Sequence, residues 1–171
     1  MGMDIHVYVE QKNKDTGKWE YAGLYDLTFE THYDNGEWRK SDTPELVPAN
    51  IYTGRNYDLF SLLGETLRGS YQPVVPIHGK PDDLSDEVYK LTLDEETGEP
   101  AKYFFGYNWL TFAEFEYCMM MLHSARKASK RQKEQWRTMR SFYEIVYNAM
   151  WQASEHNAGY EDTRIVYWFD N

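Results

Sequence analysis

Asp4 and His6 stand two residues apart in a stretch, Met3 to Gln11, where Ile5, Val7 and Val9 alternate with Asp4, His6, Tyr8 and Glu10. That alternation is the period of a half-buried strand, so the carboxylate and the imidazole share one face, about 7 Å apart at Cα. A carboxylate beside an imidazole is half of a metal site or of an acid–base pair. A third group has to come from elsewhere, and Asp170, His78 and His32 are the candidates. Asp170 is preferred. Arg164 to Asp170 alternates in the same way, with Ile165, Tyr167 and Phe169 against Arg164, Val166, Trp168 and Asp170. If these two strands pair, Asp170 reaches the face of Asp4 and His6, and the three form the candidate metal set.

A second chemistry is offered by Gly54-Arg55-Asn56-Tyr57 ahead of an apolar stripe at helical spacing, Leu59, Phe60, Leu62, Leu63 and Leu67. Asn56 is placed to cap that helix, and Arg55 then sits beside backbone amides that favour an anion. A guanidinium there grips a phosphate or carboxylate bidentately, while Tyr52 or Tyr57 supplies a stacking ring. The alternative is that Arg55 pairs with an acid such as Asp58. The loop Pro76-Ile77-His78-Gly79-Lys80-Pro81 adds two cationic groups on a restricted backbone, so the candidate ligand set is Arg55, Asn56, Tyr57, His78 and Lys80. Neither phosphate-loop nor dinucleotide glycine spacing is present, nor a nucleophile elbow or a zinc-protease His pair. Cys118, among Phe115, Met119 and Leu122, reads as a small core residue.

The elements that must position these groups follow from periodicity and turn chemistry. Trp19 to Tyr25 reads as a return strand after Asp15-Thr16-Gly17. Leu27 to Tyr33 and Glu37 to Arg39 flank Asp34-Asn35-Gly36, a tight hairpin signal. Ser41 to Asn50, with Pro44 and Pro48, reads as a loop. The Tyr57 helix is expected to end at Gly69, and Ser70 to Leu84 is a long irregular connection of the kind that often carries function. Ser85 caps a short helix to about Leu93, and Lys102 to Tyr107 reads as strand. Thr111-Phe112-Ala113-Glu114 is a capping box that starts a helix. The polar stretch Ser124 to Gln135 leads into a second helical stripe through Trp136, Met139, Phe142, Val146 and Met150, which Asn157-Ala158-Gly159 ends. The expected fold is one α+β domain over residues 1–171. Its mixed or antiparallel sheet contains both termini and packs against two long C-terminal helices and the short buried helix.

Composition bounds the function. The chain has 171 residues, is 42% hydrophobic and 17% aromatic, and is long enough to bury roughly two-thirds of its unfolded surface, so a disordered chain is excluded. Apolar runs are too short for a bilayer and Met1-Gly2-Met3-Asp4 lacks a signal-peptide pattern, so a cytoplasmic protein is expected. A single cysteine rules out an internal disulfide and a cysteine zinc cluster. The net charge of -10 is unevenly spread: Arg126 to Arg140 holds seven basic residues and one acid, leaving -16 on the remainder. Such a basic stretch suits an acidic partner or the acidic side of a second copy.

Asp4-Ile5-His6, Arg55-Asn56-Tyr57-x-Leu59-Phe60, Arg68-Gly69, Gly79-x-Pro81-x-Asp83-x-Ser85, Trp109-Leu110 and the terminal Trp168-Phe169-Asp170-Asn171 together resemble a family of small phage and prophage proteins. A His-containing stretch often precedes the Trp-Leu pair in that family, and Tyr107-Asn108 stands there in this chain. The resemblance implies a phage accessory protein in the cytoplasm of the bacterial host, where such proteins counter host defence. Three functions are then expected in order. The first is capture of a small phosphorylated or nucleotide-like ligand; the second is metal-dependent hydrolysis by Asp4, His6 and Asp170. The third is acidic inhibition of a host defence protein that binds nucleic acid.

Overall fold

Strand β1 (Asp4–Lys12) carries apolar residues at every second position, and so does the last strand. The computed structural model describes residues 2–29, 31–64, 68–125, 129–155 and 159–170, with backbone alone at 31–34, 38 and 155. After β1 come β2 (Trp19–Tyr21), β3 (Tyr25–Thr28), β4 (Thr31–Asp34), β5 (Glu37–Lys40) and β6 (Glu45–Pro48). Helices α1 (Tyr57–Leu63) and α2 (Asp86–Lys90), strand β7 (Phe105–Thr111), helices α3 (Phe112–Ala125) and α4 (Lys130–Glu155), and strand β8 (Thr163–Asp170) complete the order. The fold is α+β: a four-stranded antiparallel sheet, β2-β1-β8-β7, holds the first and last strands at its centre and packs against the C-terminal helices. No described helix is long and apolar enough to cross a membrane.

The central pair runs in unbroken register from Asp4 opposite Asp170 to Gln11 opposite Thr163. Ile5, Val7, Val9, Ile165, Tyr167 and Phe169 face a core built with Leu59, Phe60, Phe112, Phe115, Phe142, Val146 and Met150. The alternation predicts a solvated opposite face, and the structure differs: Tyr8, Val166 and Trp168 are buried there beneath Val88, Leu84, Leu91 and Phe104. Every β8 residue from Thr163 to Phe169 is buried. The second cover comes from a segment with too few apolar residues to announce itself, because most of the burying surface belongs to the sheet.

Several boundaries move for identifiable reasons. Helix α1 stops at Leu63 rather than continuing to Gly69, with Gly64 buried and extended. Its last carbonyls are taken by tertiary donors: the Val74 N–H bonds Leu62 O at 2.9 Å and the Tyr167 hydroxyl donates to Leu63 O at 2.7 Å. The stretch expected to be a loop contains β6, paired with β3 through Leu27 opposite Leu46. Pro48 is tolerated there because the ribbon has only two strands and Pro48 is at its end. The β4–β5 hairpin turns through Asn35 at φ 51° and Gly36 at φ 85°, as its Asn-Gly requires. Strand β7 starts later than expected and runs through Trp109 and Leu110. Its register shifts between Phe105 and Asn108. Gly106 permits this with φ 62°, where a Cβ would collide with the Phe169 ring. The helix end expected at 157–159 lies largely outside the described residues.

Near the far end of the central pair lies a buried charge network. Arg164, opposite Glu10, donates from Nε to Glu10 Oε2 at 2.8 Å, from Nη1 to Asp83 Oδ1 at 2.8 Å and from Nη2 to Asp83 O at 3.0 Å. Glu10 Oε1 accepts the Ser85 N–H at 2.7 Å, and the guanidinium lies between the Trp19 and Trp109 rings, 4.0 and 5.7 Å from their centroids. Side chains of Glu10 and Arg164 are 0% and 2% exposed, whereas Asp83 is 65% exposed. Breaking one side of a buried pair leaves an uncompensated charge and costs about 3–5 kcal/mol. Arg164→Met is therefore expected to lower stability by about that amount, and Asp83→Ala by about 1 kcal/mol or less. Denaturant midpoints of the two variants check the ranking.

Candidate functional site

Pairing of β1 with β8 brings Asp4, His6 and Asp170 to one corner of the sheet, where Arg55 joins them. Asp170 Oδ1 accepts the Asp4 N–H at 3.1 Å, and Asp170 Oδ2 lies 2.9 Å from His6 Nε2. The Asp4 carboxylate is held bidentately by Arg55, Nε to Oδ1 at 2.7 Å and Nη2 to Oδ2 at 2.6 Å. Arg55 reaches it because Gly2 has no side chain; a Cβ there would collide with Nη1. The Arg55 hydrogen bond holds the Asp4 carboxyl below its ordinary value, against a smaller desolvation effect and with help from the Arg55 and His6 charges. Asp4 in turn raises the Arg55 guanidinium.

The three residues of the candidate metal set are thus brought together, but not as a cage. Both Asp4 oxygens face Arg55, and His6 and Asp170 bond each other; among the described residues no group of three or more His, Cys, Asp or Glu is arranged to hold a metal ion. The arrangement is instead a His6–Asp170 pair; in the tautomer whose Nε2–H is donated to Asp170, Nδ1 is the acceptor nitrogen, and no described residue bonds that atom. The alternative third ligands lie elsewhere: His78 pairs with Glu114, and His32 is opposite Arg39 in the β4–β5 hairpin with its side chain outside the described residues.

The candidate ligand set separates into three places. Asn56 caps α1, its Oδ1 accepting the Asp58 and Leu59 N–H groups at 3.1 and 3.2 Å. Tyr57 packs edge-on against Phe60 with the Arg68 guanidinium over its ring. Asp58 does not pair with Arg55; its Oδ1 accepts the Ser70 N–H. His78 stacks on Trp109 at 4.4 Å and meets Glu114 Oε1 at 2.9 Å. Glu114 also closes the capping box on Thr111, with Oε2 accepting the Thr111 N–H at 3.0 Å. Asn108 explains why this loop is fixed: its Oδ1 accepts the His78 N–H, and its Nδ2 donates to Pro76 O and the Tyr167 hydroxyl.

Lys80 is different. Its ammonium sits over Tyr107 at 4.8 Å and Tyr89 at 5.8 Å and donates to Thr92 Oγ1 at 3.3 Å. No described carboxylate pairs with it, and desolvation lowers its pKa. Burial pushes Tyr107 up to about 12, with a smaller contribution from Tyr103, so its hydroxyl stays protonated. Tyr107 stacks on Trp168 at 5.5 Å, and Trp168 stacks on His6 at 5.5 Å, so an aromatic row crosses the sheet from Lys80 to the His6 corner. Phe104 leans on both His6 and Trp168. The Trp168 indole N–H is buried without a partner among the described residues. This row escaped the sequence reading, although Trp168 alternating with Asp170 placed it on the His6 face.

The Asp4–Arg55 pair is half-exposed, at 48% and 54%, so solvent screens it and its contribution to stability is small. A depressed carboxylate pKa gives stability that is present above the ordinary value of 3.8 and is lost as pH falls through the folded-state value. Wild type and Asp4→Asn are therefore expected to differ in urea midpoint near neutral pH and to converge in acid below 3.8. A gap that persists unchanged in acid would show that Asp4 acts through something other than its charge. Compared with protein-family models, curated proteins and solved structures, the chain matches none.

Proposed function

We propose that the protein captures a small phosphorylated, nucleotide-like ligand, with Lys80 as the anion contact and the neighbouring rings as the stacking surface. The observation that carries this is the Lys80 ammonium, which lies over Tyr107 and Tyr89 and pairs with no described carboxylate. A cation without a counter-charge is open to an anion. Arg55, the other cation of the candidate set, is already neutralised by Asp4. Exposed Tyr103 and half-buried Phe104 and Tyr107 offer ring faces to a base. If the motif resemblance to phage and prophage proteins holds, sequestering a nucleotide signal would blunt host defence.

His6 supports a second reading, hydrolysis of the captured ligand. An imidazole stacked on Trp168, oriented by Asp170 and open at Nδ1, is built as a general base. His6→Gln would then remove turnover and leave affinity unchanged.

Calorimetric titration with adenosine monophosphate and with inorganic phosphate tests the binding reading. The nucleotide is expected to bind at least about tenfold more tightly, because stacking of one base is worth about 1–3 kcal/mol. Lys80→Gln should weaken nucleotide binding at least about tenfold with an unchanged melting temperature, and Arg55→Ala should alter it far less, following the difference in counter-charge. Loss on Arg55→Ala alone would move the anion to the sheet corner. No heat with either probe would end the reading.

A further inference from the structure

We infer that the protein associates head to tail with a second copy of itself, the β3–β6 ribbon of one copy docking on the α3–α4 groove of the next. The ribbon has two strands only, and the directly opposed pair Leu27 and Leu46 is 59% and 62% exposed, with Leu24 beside it at 74%. An isolated two-stranded ribbon is marginal in water, and one that shows its apolar face gains most from being covered. The ribbon carries two acids, Asp26 and Glu45, and no Lys or Arg; each acid neighbours a leucine in sequence and so borders the apolar face from the opposite side.

The complementary surface lies at the other side of the charge division. Val74, Tyr117, Cys118, Met121, Leu122 and Ala125 line a groove of about 390 Å³, closed along α4 by Gln132 and Gln135. Tyr117, Met120 and Met121 are more than half exposed. Methionine and tyrosine in an open groove adapt to a partner's shape. Lys130, Arg131, Lys133 and Arg137 begin the same helix. No acid occupies the first turn of α4, so these cations face the positive end of a helix dipole, an arrangement that an acidic neighbour relieves. An apolar ribbon with acids therefore meets an apolar groove with bases, and both belong to this chain. Because the two faces differ, the contact is heterologous and propagates into a ring or filament.

Sedimentation velocity of the full chain tests this. Wild type is expected to show concentration-dependent species larger than a dimer at 0.1 M sodium chloride, reduced at 1 M, where the Debye length falls from about 10 to 3 Å. Leu27→Asp and Met121→Asp should each be monomeric alone. Their mixture should form a dimer and stop there, because one intact ribbon and one intact groove remain. Both positions are exposed; should either variant melt early, Leu46→Asp and Tyr117→Asp replace them on the same faces. A wild-type monomer at every concentration, assembly that ignores salt, a single variant that still assembles, or a mixture that stays monomeric would each overturn the inference.

Discussion

Pairing of the first strand with the last is the constraint on which the other features depend. It is the most sequence-distant contact available to the chain, and it is made in continuous register from Asp4 with Asp170 to Gln11 with Thr163. A slip of one residue would turn Ile5, Val7 and Val9 out of the core and carry Glu10 away from Arg164. One register therefore sets the hydrophobic face, the buried ion pair and the polar corner together. Long-range pairing of this kind is costly in chain entropy before it is rewarded. Helices α3 and α4 pack on each other and on the sheet, so the pairing is closed over by local helical contacts.

The two ends of the strand pair treat charge in opposite ways. Around Glu10 and Arg164 the groups are excluded from water, and three hydrogen bonds, a backbone amide and two indole rings compensate them; the geometry fixes the loop from Asp83 to Ser85 and hence the start of α2. Around Asp4, Arg55, His6 and Asp170 the groups keep contact with solvent. The first arrangement specifies structure, because any rearrangement strands a buried charge. In the second, proton and ion exchange remain possible at modest cost, which is the condition for chemistry.

How much of this was legible depends on whether a signal was local. Period-two alternation placed Asp4, His6 and Asp170 on one face, and Thr111 with Glu114 marked the start of α3, because both signals need only neighbouring residues. Asn56 was read as a cap and is one. The partners of Arg55 and His78 were not legible, since Asp4 and Glu114 are 51 and 36 positions away and nothing in residue type chooses them over Asp58. Glu10 and Arg164 looked like solvated positions of half-buried strands. Their burial depends on Trp19, on Asp83 with Ser85, and on Trp109 converging from three segments. The strand β6 was hidden by Pro44 just before it and Pro48 at its end, which are harmless at the ends of a two-stranded ribbon.

The two faces of the sheet are covered unequally. One face is closed by helices whose side chains interdigitate with Ile5, Val7, Tyr167 and Phe169, and a change there would disturb the whole core. The other face is closed by one short helix and irregular chain, over rings rather than aliphatic side chains. Rings stack in several orientations with little loss, and Lys80 rests on two of them without an ion-pair partner among the described residues. The cover over His6, Trp168 and Tyr107 is itself anchored where Arg164 and Glu10 hold Asp83 and Ser85. A ligand entering there would meet aromatic faces, an ammonium and, at the end of the row, an imidazole oriented by a carboxylate.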